Sequence, residues 1–225
     1  MNYGVLGTGM VGQTVGAKLI ELGHDVMIGT RDVSQTLART EPSRLGIPPF
    51  SVWHEQNPQA KLGTFAEAAA HGEIVINATN GQATLSVLEM AGADNLNGKI
   101  LIDIANPLVF SQGMLTLSVC NDDSLAEQIQ RAYPETRVVK TLNTMNAKVM
   151  VNPALLPGDH DVFVSGNDVD AKAHVAALLK DGFGWKSVID LGDITTARGT
   201  EMVLPLWIRL MEVLDTPIFN FKIVR

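Results

Sequence analysis

Residues 3–12 read Tyr-Gly-Val-Leu-Gly-Thr-Gly-Met-Val-Gly, a short apolar strand that runs directly into the pattern Gly7-x-Gly9-x-x-Gly12. Strand, glycine turn, helix is the order that a dinucleotide pyrophosphate requires. Gly7 permits the tight turn, Gly9 lets the backbone approach the phosphates, and Gly12 lets the following helix lie close on the strand. Val11, Val15, Leu19 and Leu22 supply a helical apolar pattern after the turn. The first N–H groups of that helix, near Met10 and Val11, would face the anion. A glycine triplet alone is a weak signal. The strand before it and the helix pattern after it make Gly7, Thr8, Gly9, Met10, Val11 and Gly12 a candidate nucleotide cradle.

The chain of 225 residues is 46% hydrophobic, enough for one large α/β domain or a domain with a small appended lobe. Its net charge of −7 and the lack of any basic block argue against a nucleic-acid or acidic-membrane partner. The single cysteine, Cys120, excludes a disulfide framework and a cysteine-based metal set, and reads as an idle thiol. The N-terminal strand opens the fold, so no signal peptide is expected. No apolar run reaches membrane-span length. A cytoplasmic protein without a membrane partner fits these features.

Apolar strands alternate with helical stretches, which predicts a doubly wound parallel α/β sheet covered on both faces. Strands are expected at 3–6, 25–29, 60–62, 73–78, 99–104 and 137–142. Helices are expected at 10–22, 34–39, 65–71, 82–91 and 123–133, with Thr64 and Asp122 as candidate N-caps. His24 reads as an exposed turn residue. Residues 41–59 hold Pro42, Pro48, Pro49 and Pro58, which exclude a long helix. They read as a loop flanking the adenosine end of the site, with a helical insert at 50–56. The pattern changes after Ala147, giving a domain at 1–147 and a small C-terminal α/β lobe at 148–225. Within the lobe, 152–159 reads as a loop, 161–165 and 187–191 as strands, and 171–180 as a helix. A last helix is expected at 196–214, capped by Thr195 or Thr196 and kinked at Pro205. The apolar tail 218–224 is expected to dock on its own domain or on a neighbour.

The choice of dinucleotide turns on Ile28-Gly29-Thr30-Arg31-Asp32 at the end of the second strand. An acidic residue there would hold ribose hydroxyls and repel a 2′-phosphate, whereas Arg31 can pair with that phosphate through two charge-assisted hydrogen bonds. Thr30 and Ser34 add donors. NADP(H) is therefore the expected cofactor; the alternative leaves Arg31 in solvent and gives the ribose to Asp32.

Ligands of such sheets sit at the carboxyl ends of the strands. Those ends read Asn77-Ala78-Thr79-Asn80, Asp103-Ile-Ala-Asn106-Pro107 and Thr141-Leu-Asn143, rich in amides and hydroxyls. Asn106-Pro107 requires an extended or turn geometry; a cis bond and a plain loop start are both open. None of His24, His54, His71, His160 and His174 lies at a strand tip. None shows metal spacing, and His54-Glu55 lacks a second histidine four positions on. No catalytic side chain and no metal ligand is therefore assigned. Lys140 falls inside a strand. Lys148 is the one base candidate, the alternative being a surface charge. A hydride acceptor that is itself a redox ring needs no protein base at the transferring carbon, only two rings held face to face.

Gly7-Thr-Gly-Met-Val-Gly12, Gly23-His-Asp-Val-Met-Ile-Gly-Thr-Arg31, Val138-Val-Lys-Thr-Leu-Asn143 and Leu191-Gly-Asp-Ile-Thr-Thr-Ala-Arg198, with Glu201 and Leu204-Pro205, resemble the NADP oxidoreductases dependent on the deazaflavin coenzyme F420. The cytoplasmic reductase domain of the six-transmembrane ferric reductases is similar in the same segments. The resemblance spans nearly the whole chain. It implies a Rossmann-type domain, a small C-terminal lobe, homo-oligomers, of which a homodimer is expected here, and hydride transfer between NADPH and a deazaflavin or flavin, a small-molecule redox partner, with no protein nucleophile. By position it implies Thr8, Thr30 and Arg31 at the 2′-phosphate, and Asn80, Asn106, Pro107 and Asn143 beside the nicotinamide. At Asn143 the deazaflavin enzymes commonly carry His and the ferric reductases Asn. Arg198 and Glu201 match the family pattern and read as ties between the last helix and the sheet.

Two other readings stay open at this stage. A β-hydroxyacid or imine dehydrogenase shares the N-terminal signatures but has a long all-helical C-terminal domain, which the strand signals at Val162 and Val188 oppose. A non-catalytic NADPH-binding redox sensor would bind without turnover. The last helix, with Met202, Leu204, Leu206, Trp207, Leu210, Met211 and Leu214, presents apolar surface for the core, the substrate cleft or a second subunit.

Overall fold

The computed structural model describes residues 1–42, 47–111 and 114–225. Residues 43–46, inside the proline-bearing loop expected at 41–59, lie outside the described residues. The strands are β1 (Asn2–Leu6), β2 (Asp25–Thr30), β3 (Lys61–Thr64), β4 (Ile74–Asn77), β5 (Ile100–Asp103), β6 (Leu108–Ser111), β7 (Met114–Leu117), β8 (Arg137–Thr141), β9 (Asp161–Ser165) and β10 (Ser187–Asp190). The helices are α1 (Met10–Glu21), α2 (Val33–Ala38), α3 (Phe50–Gln56), α4 (Phe65–His71), α5 (Thr84–Ala91), α6 (Ala93–Leu96), α7 (Leu125–Ala132), α8 (Ala147–Val151), α9 (Val169–Ala177), α10 (Ala197–Met202) and α11 (Leu204–Leu214).

Eight strands form one mostly parallel, Rossmann-type sheet in the order β10-β9-β8-β5-β4-β1-β2-β3. Its central strands are buried on both faces, which explains their near-continuous apolar runs. Alternate residues feed opposite cores. Val5, Ile76, Ile102 and Val139 face the layer of α1, α8 and α9. Leu6, Val75, Leu101 and Val138 face that of α4, α5 and α7. Leu6 pairs with Gly29 and Asn77, and Asp103 with Asn77 and Lys140, so the tips of β1, β2, β4, β5 and β8 end together on one rim.

Several expectations change. β9 runs antiparallel to β8, with Lys140 opposite Ser165, and β10 follows β9 in parallel. The link between β8 and β9 holds the short helix α8 and a 3-10 turn at Pro153–Leu155, within the stretch expected as a loop, and lacks the long crossover helix that usually joins parallel neighbours. The hairpin β6–β7 was not foreseen. The expected last helix is two helices broken at Val203. Pro205 sits in the first turn of α11, where its missing N–H costs no hydrogen bond. Thr196 stands at the N-cap position of α10, as expected, but makes no side-chain cap bond; Asp193 receives the Thr195 N–H at 2.9 Å. α7 is capped by Ser124 rather than Asp122, while Thr64 caps α4 in a reciprocal box with Glu67. His24 is partly buried, its ring 5.0 Å from that of Tyr3.

The tail docks on its own chain. The Asp161 N–H donates to the Phe221 carbonyl at 3.0 Å, the Ile223 N–H donates to the Asp161 carboxylate at 2.6 Å, and Phe219 stacks on Trp207. Among the described residues no helix is long and apolar enough to cross a membrane.

Candidate functional site

The rim starts with the glycine turn. Gly7 adopts φ +119°, a conformation that side chains disfavour, and its N–H donates to the Gly29 carbonyl at 3.0 Å, tying the β1 tip to that of β2. A Cβ at Gly12 would stand 2.1 Å from the Gly7 carbonyl oxygen, so only glycine lets α1 sit this close to the turn. A Cβ at Gly9 would meet nothing within 4 Å: that face is open. Gly9 is the N-cap of α1 and no side chain caps the helix, leaving its first N–H groups free for an anion. Gln13 braces the turn by donating from Nε2 to the Thr8 carbonyl at 2.9 Å. Thr8, Gly9, Met10, Thr36 and Arg39 line an open cleft of about 480 Å³.

At the β2 tip, Thr30 is buried with its hydroxyl 2.7 Å from that of Thr36. Arg31 is exposed, with no carboxylate partner among the described residues. Asp32 is committed elsewhere: its Oδ1 receives the Gln35 N–H at 2.9 Å and the Ser34 hydroxyl at 2.6 Å, capping α2. The Ser34 hydroxyl bond holds the Asp32 carboxyl below its usual value, aided by the Gln35 N–H. Ser34 is thus a donor already in use.

Asn77 lies beneath the rim, fully buried. Its Nδ2 donates to Asp103 at 2.7 Å and its Oδ1 receives the Thr79 hydroxyl at 2.6 Å, so its side chain supports the tip instead of lining the cleft. Above it the Ala78 carbonyl lies against Gly7, where a Cβ would come within 2.7 Å. Asn80 is exposed and accepts the Gln82 N–H at 2.9 Å. The adjoining Gly81 abuts the Asn106 carbonyl, 2.0 Å from where a Cβ would sit. The bond before Pro107 is trans.

Asn106 and Asn143 bridge the β5 and β8 tips. Asn106 Nδ2 donates to the Asn143 carbonyl at 2.8 Å, and Asn143 Nδ2 donates to Asn106 Oδ1 at 3.0 Å and to the Thr200 carbonyl at 3.1 Å. Leu142, buried, holds the left-handed φ of +62° that directs Asn143 back toward Asn106. The rim thus brings Asn80, Asn106, Pro107 and Asn143 together, 37 positions separating the paired asparagines. Lys148 is exposed on α8, held by its backbone N–H to Asn146.

Below this set lies a cluster that residue types did not announce. Lys140 is fully buried, 2.8 Å from both Asp103 and Glu201, and also donates to the Ala105 carbonyl. Burial opposes its charge, but Asp103 and then Glu201 hold its pKa above the ordinary lysine value. Arg198 forms a bidentate pair with Glu127 of α7 at 2.8 and 2.6 Å. Arg198 and Glu201 therefore fasten α10 to α7 and the sheet. A lone lysine inside the apolar run Val138-Val-Lys-Thr was the available signal, since a buried charge demands a partner.

A family model described as NADP oxidoreductase, coenzyme F420-dependent, matches residues 2–107. A crystal structure from Arthrobacter sp. FB24, assigned as an F420-dependent NADP-reductase, shares 59% identity with a TM-score of 0.95, covering 100% of this chain and 99% of its own. The F420-dependent NADP reductase of Methanothermobacter marburgensis is 27% identical over 93% of this chain and 92% of the relative. Metalloreductase STEAP3 of Rattus norvegicus is 26% identical over 91% of this chain, and the match spans 37% of that relative's length. An imine reductase of Streptomyces aurantiacus, at 19% identity and a TM-score of 0.61, covers 96% of this chain and 65% of its own; that likeness is one of fold alone.

Proposed function

The chain belongs to the family of coenzyme F420-dependent NADP oxidoreductases, and from that premise we propose that it transfers a hydride between NADPH and a deazaflavin- or flavin-type ring. The observation that carries the reading is an uncapped α1 N-terminus on the same rim as Arg31, an exposed guanidinium without a carboxylate partner among the described residues. That combination fits a pyrophosphate and a 2′-phosphate on one ligand. Gly7, Gly9 and Gly12, with the backbone of Met10 and Val11, would hold the pyrophosphate; Thr8, Thr30 and Arg31 the 2′-phosphate, the Ser34 hydroxyl staying on Asp32. Ala78, Thr79, Asn80, Asn106, Pro107 and Asn143 would flank the nicotinamide, with Asn77 supporting them. When bound, NADPH supplies the hydride. The side chains' work is to orient the ring and exclude water, and the amide-rich rim needs no general base for that task.

The proposal extends to a cytoplasmic homodimer. Support comes from the single cysteine and from apolar side chains left in solvent: Phe110 is 73%, Leu206 54% and Val213 81% exposed. Sedimentation that returns a monomer contradicts the dimer.

An acceptor screen tests the reaction. The protein is mixed with NADPH and with coenzyme F420, FMN, FAD, a ferric chelate, a ketoacid or an imine, and loss of nicotinamide absorbance is followed. Turnover with a deazaflavin or flavin is expected. Turnover confined to the ketoacid or imine, or tight binding with no turnover, contradicts the proposal.

A further inference from the structure

The buried cluster of Asp103, Lys140 and Glu201 has no direct part in hydride chemistry. It is also poor value as a stabiliser, because apolar groups of similar shape are often as stable as a buried ion cluster. Its distinction is what each member holds. Asp103 Oδ1 receives Asn77 Nδ2 at 2.7 Å and the Ala105 N–H at 3.2 Å. Asn77 in turn receives both the N–H and the hydroxyl of Thr79. Lys140 donates to the carbonyl of Ala105, the residue before Asn106. Glu201 accepts the N–H groups of Leu125 and Ala126 at 2.8 and 3.1 Å, fixing α10 against α7. The residue before Glu201 is Thr200, whose carbonyl anchors Asn143.

We propose that Asp103, Lys140 and Glu201 form a positioning cluster that sets the spacing of the β4, β5 and β8 tips, and so the placement of Asn106 and Asn143 against the nicotinamide ring. The inference rests on the hydride-transfer reading above. The phosphate cradle lies at β1 and β2 and makes none of these bonds. Disturbing the cluster therefore slows transfer while leaving NADPH affinity intact, a split that a merely structural role does not produce.

Removing Lys140 alone would strand two buried carboxyl groups and risk unfolding. The test uses the near-isosteric neutral variant Asp103→Asn/Lys140→Met/Glu201→Gln: the Asn oxygen can still accept from Asn77 and the Ala105 N–H, while the Gln oxygen keeps one of the Leu125 and Ala126 N–H groups that the two Glu201 oxygens accept. Glu201→Gln alone, which keeps the Lys140–Asp103 pair, is the second variant. Circular dichroism reports folding, calorimetry reports NADPH affinity, and stopped flow reports single-turnover hydride transfer to the acceptor that the wild type uses. Expected are an NADPH Kd within about threefold of wild type and transfer slowed about 10²-fold in the triple variant, about tenfold in Glu201→Gln. A wild-type rate in either folded variant overturns the proposal, as does a Kd that worsens in step with the rate. If the triple variant does not fold, Glu201→Gln decides on the same two criteria. Absence of hydride transfer in the wild type would instead defeat the functional reading itself.

Discussion

The two ends of the rim are built by opposite means. The β1–α1–β2 end is made of backbone: three glycines, an uncapped helix start and one exposed guanidinium, all within residues 7–34. The β5–β8–α10 end is made of side chains that meet across the fold, with 37 positions between Asn106 and Asn143 and 76 between Leu125 and Glu201. A site for phosphate needs free N–H groups and close approach, which local conformation supplies. A site that fixes a ring needs rigid groups from several strands, which only tertiary packing supplies. Substitutions at the first end should change affinity. Substitutions at the second should change rate.

The largest expected effect sharpens the contrast within the glycine turn. Gly12→Ala places a Cβ 2.1 Å from the Gly7 carbonyl and should cost on the order of 1–3 kcal/mol of stability along with NADPH binding. Gly9→Ala meets open space at an ordinary φ of −78°. It should leave the melting temperature nearly unchanged yet weaken NADPH at least about tenfold by crowding the phosphate approach. Thermal melts and calorimetry on both variants check this; equal destabilisation by the two would break the distinction.

At the other end, Asn143→Ala removes the bridge among Asn106, Asn143 and Thr200. It should cost about 1–3 kcal/mol, because a partner is lost in a buried setting. Hydride transfer should slow more than NADPH affinity falls. Urea denaturation and single-turnover kinetics read the two effects, and a loss of affinity without a loss of rate would contradict the division of labour.

The phosphate end was legible because its signals are contiguous: Gly7, Gly9, Gly12 and Arg31 state their roles in order. Helices α3 and α4 were equally readable, the first as a short insert at 50–56 among prolines and the second from Thr64 as its N-cap. The second end was not. Lys140 could be placed in a strand, but Asp103 and Glu201 lie in other elements and nothing local pairs them with it. The β6–β7 hairpin was missed because it stands apart from the main sheet, its strands paired only with each other among the described residues, and no Asn-Gly or Asp-Gly turn joins them in the sequence. The antiparallel entry of β9 depends on how the preceding link folds, which residue patterns do not encode.

The smallest effect concerns acid. Hydrogen bonds from Arg131 hold the Asp123 carboxyl down to about 2, with help from Gln128 and the Ser124 N–H. A carboxyl lowered on folding adds stability that is present above about pH 4 and lost as pH falls toward about 2. Both partners are partly exposed, so the gain is modest. Arg131→Ala should lower stability modestly above about pH 4, leave it unchanged near pH 2, and so flatten the acid limb between them. Denaturation midpoints measured across the window check it, and an unchanged limb would show that the pair contributes nothing.

The central claim is that the uncapped α1 start and Arg31 together recognise NADPH. Calorimetric titration of wild type and Arg31→Ala with NADPH and NADH tests it most directly. Wild type should bind NADPH far more tightly than NADH. The variant should lose roughly 1.5–3 kcal/mol toward NADPH and little toward NADH. An equal loss for both cofactors, or no heat with NADPH in the wild type, would contradict the account.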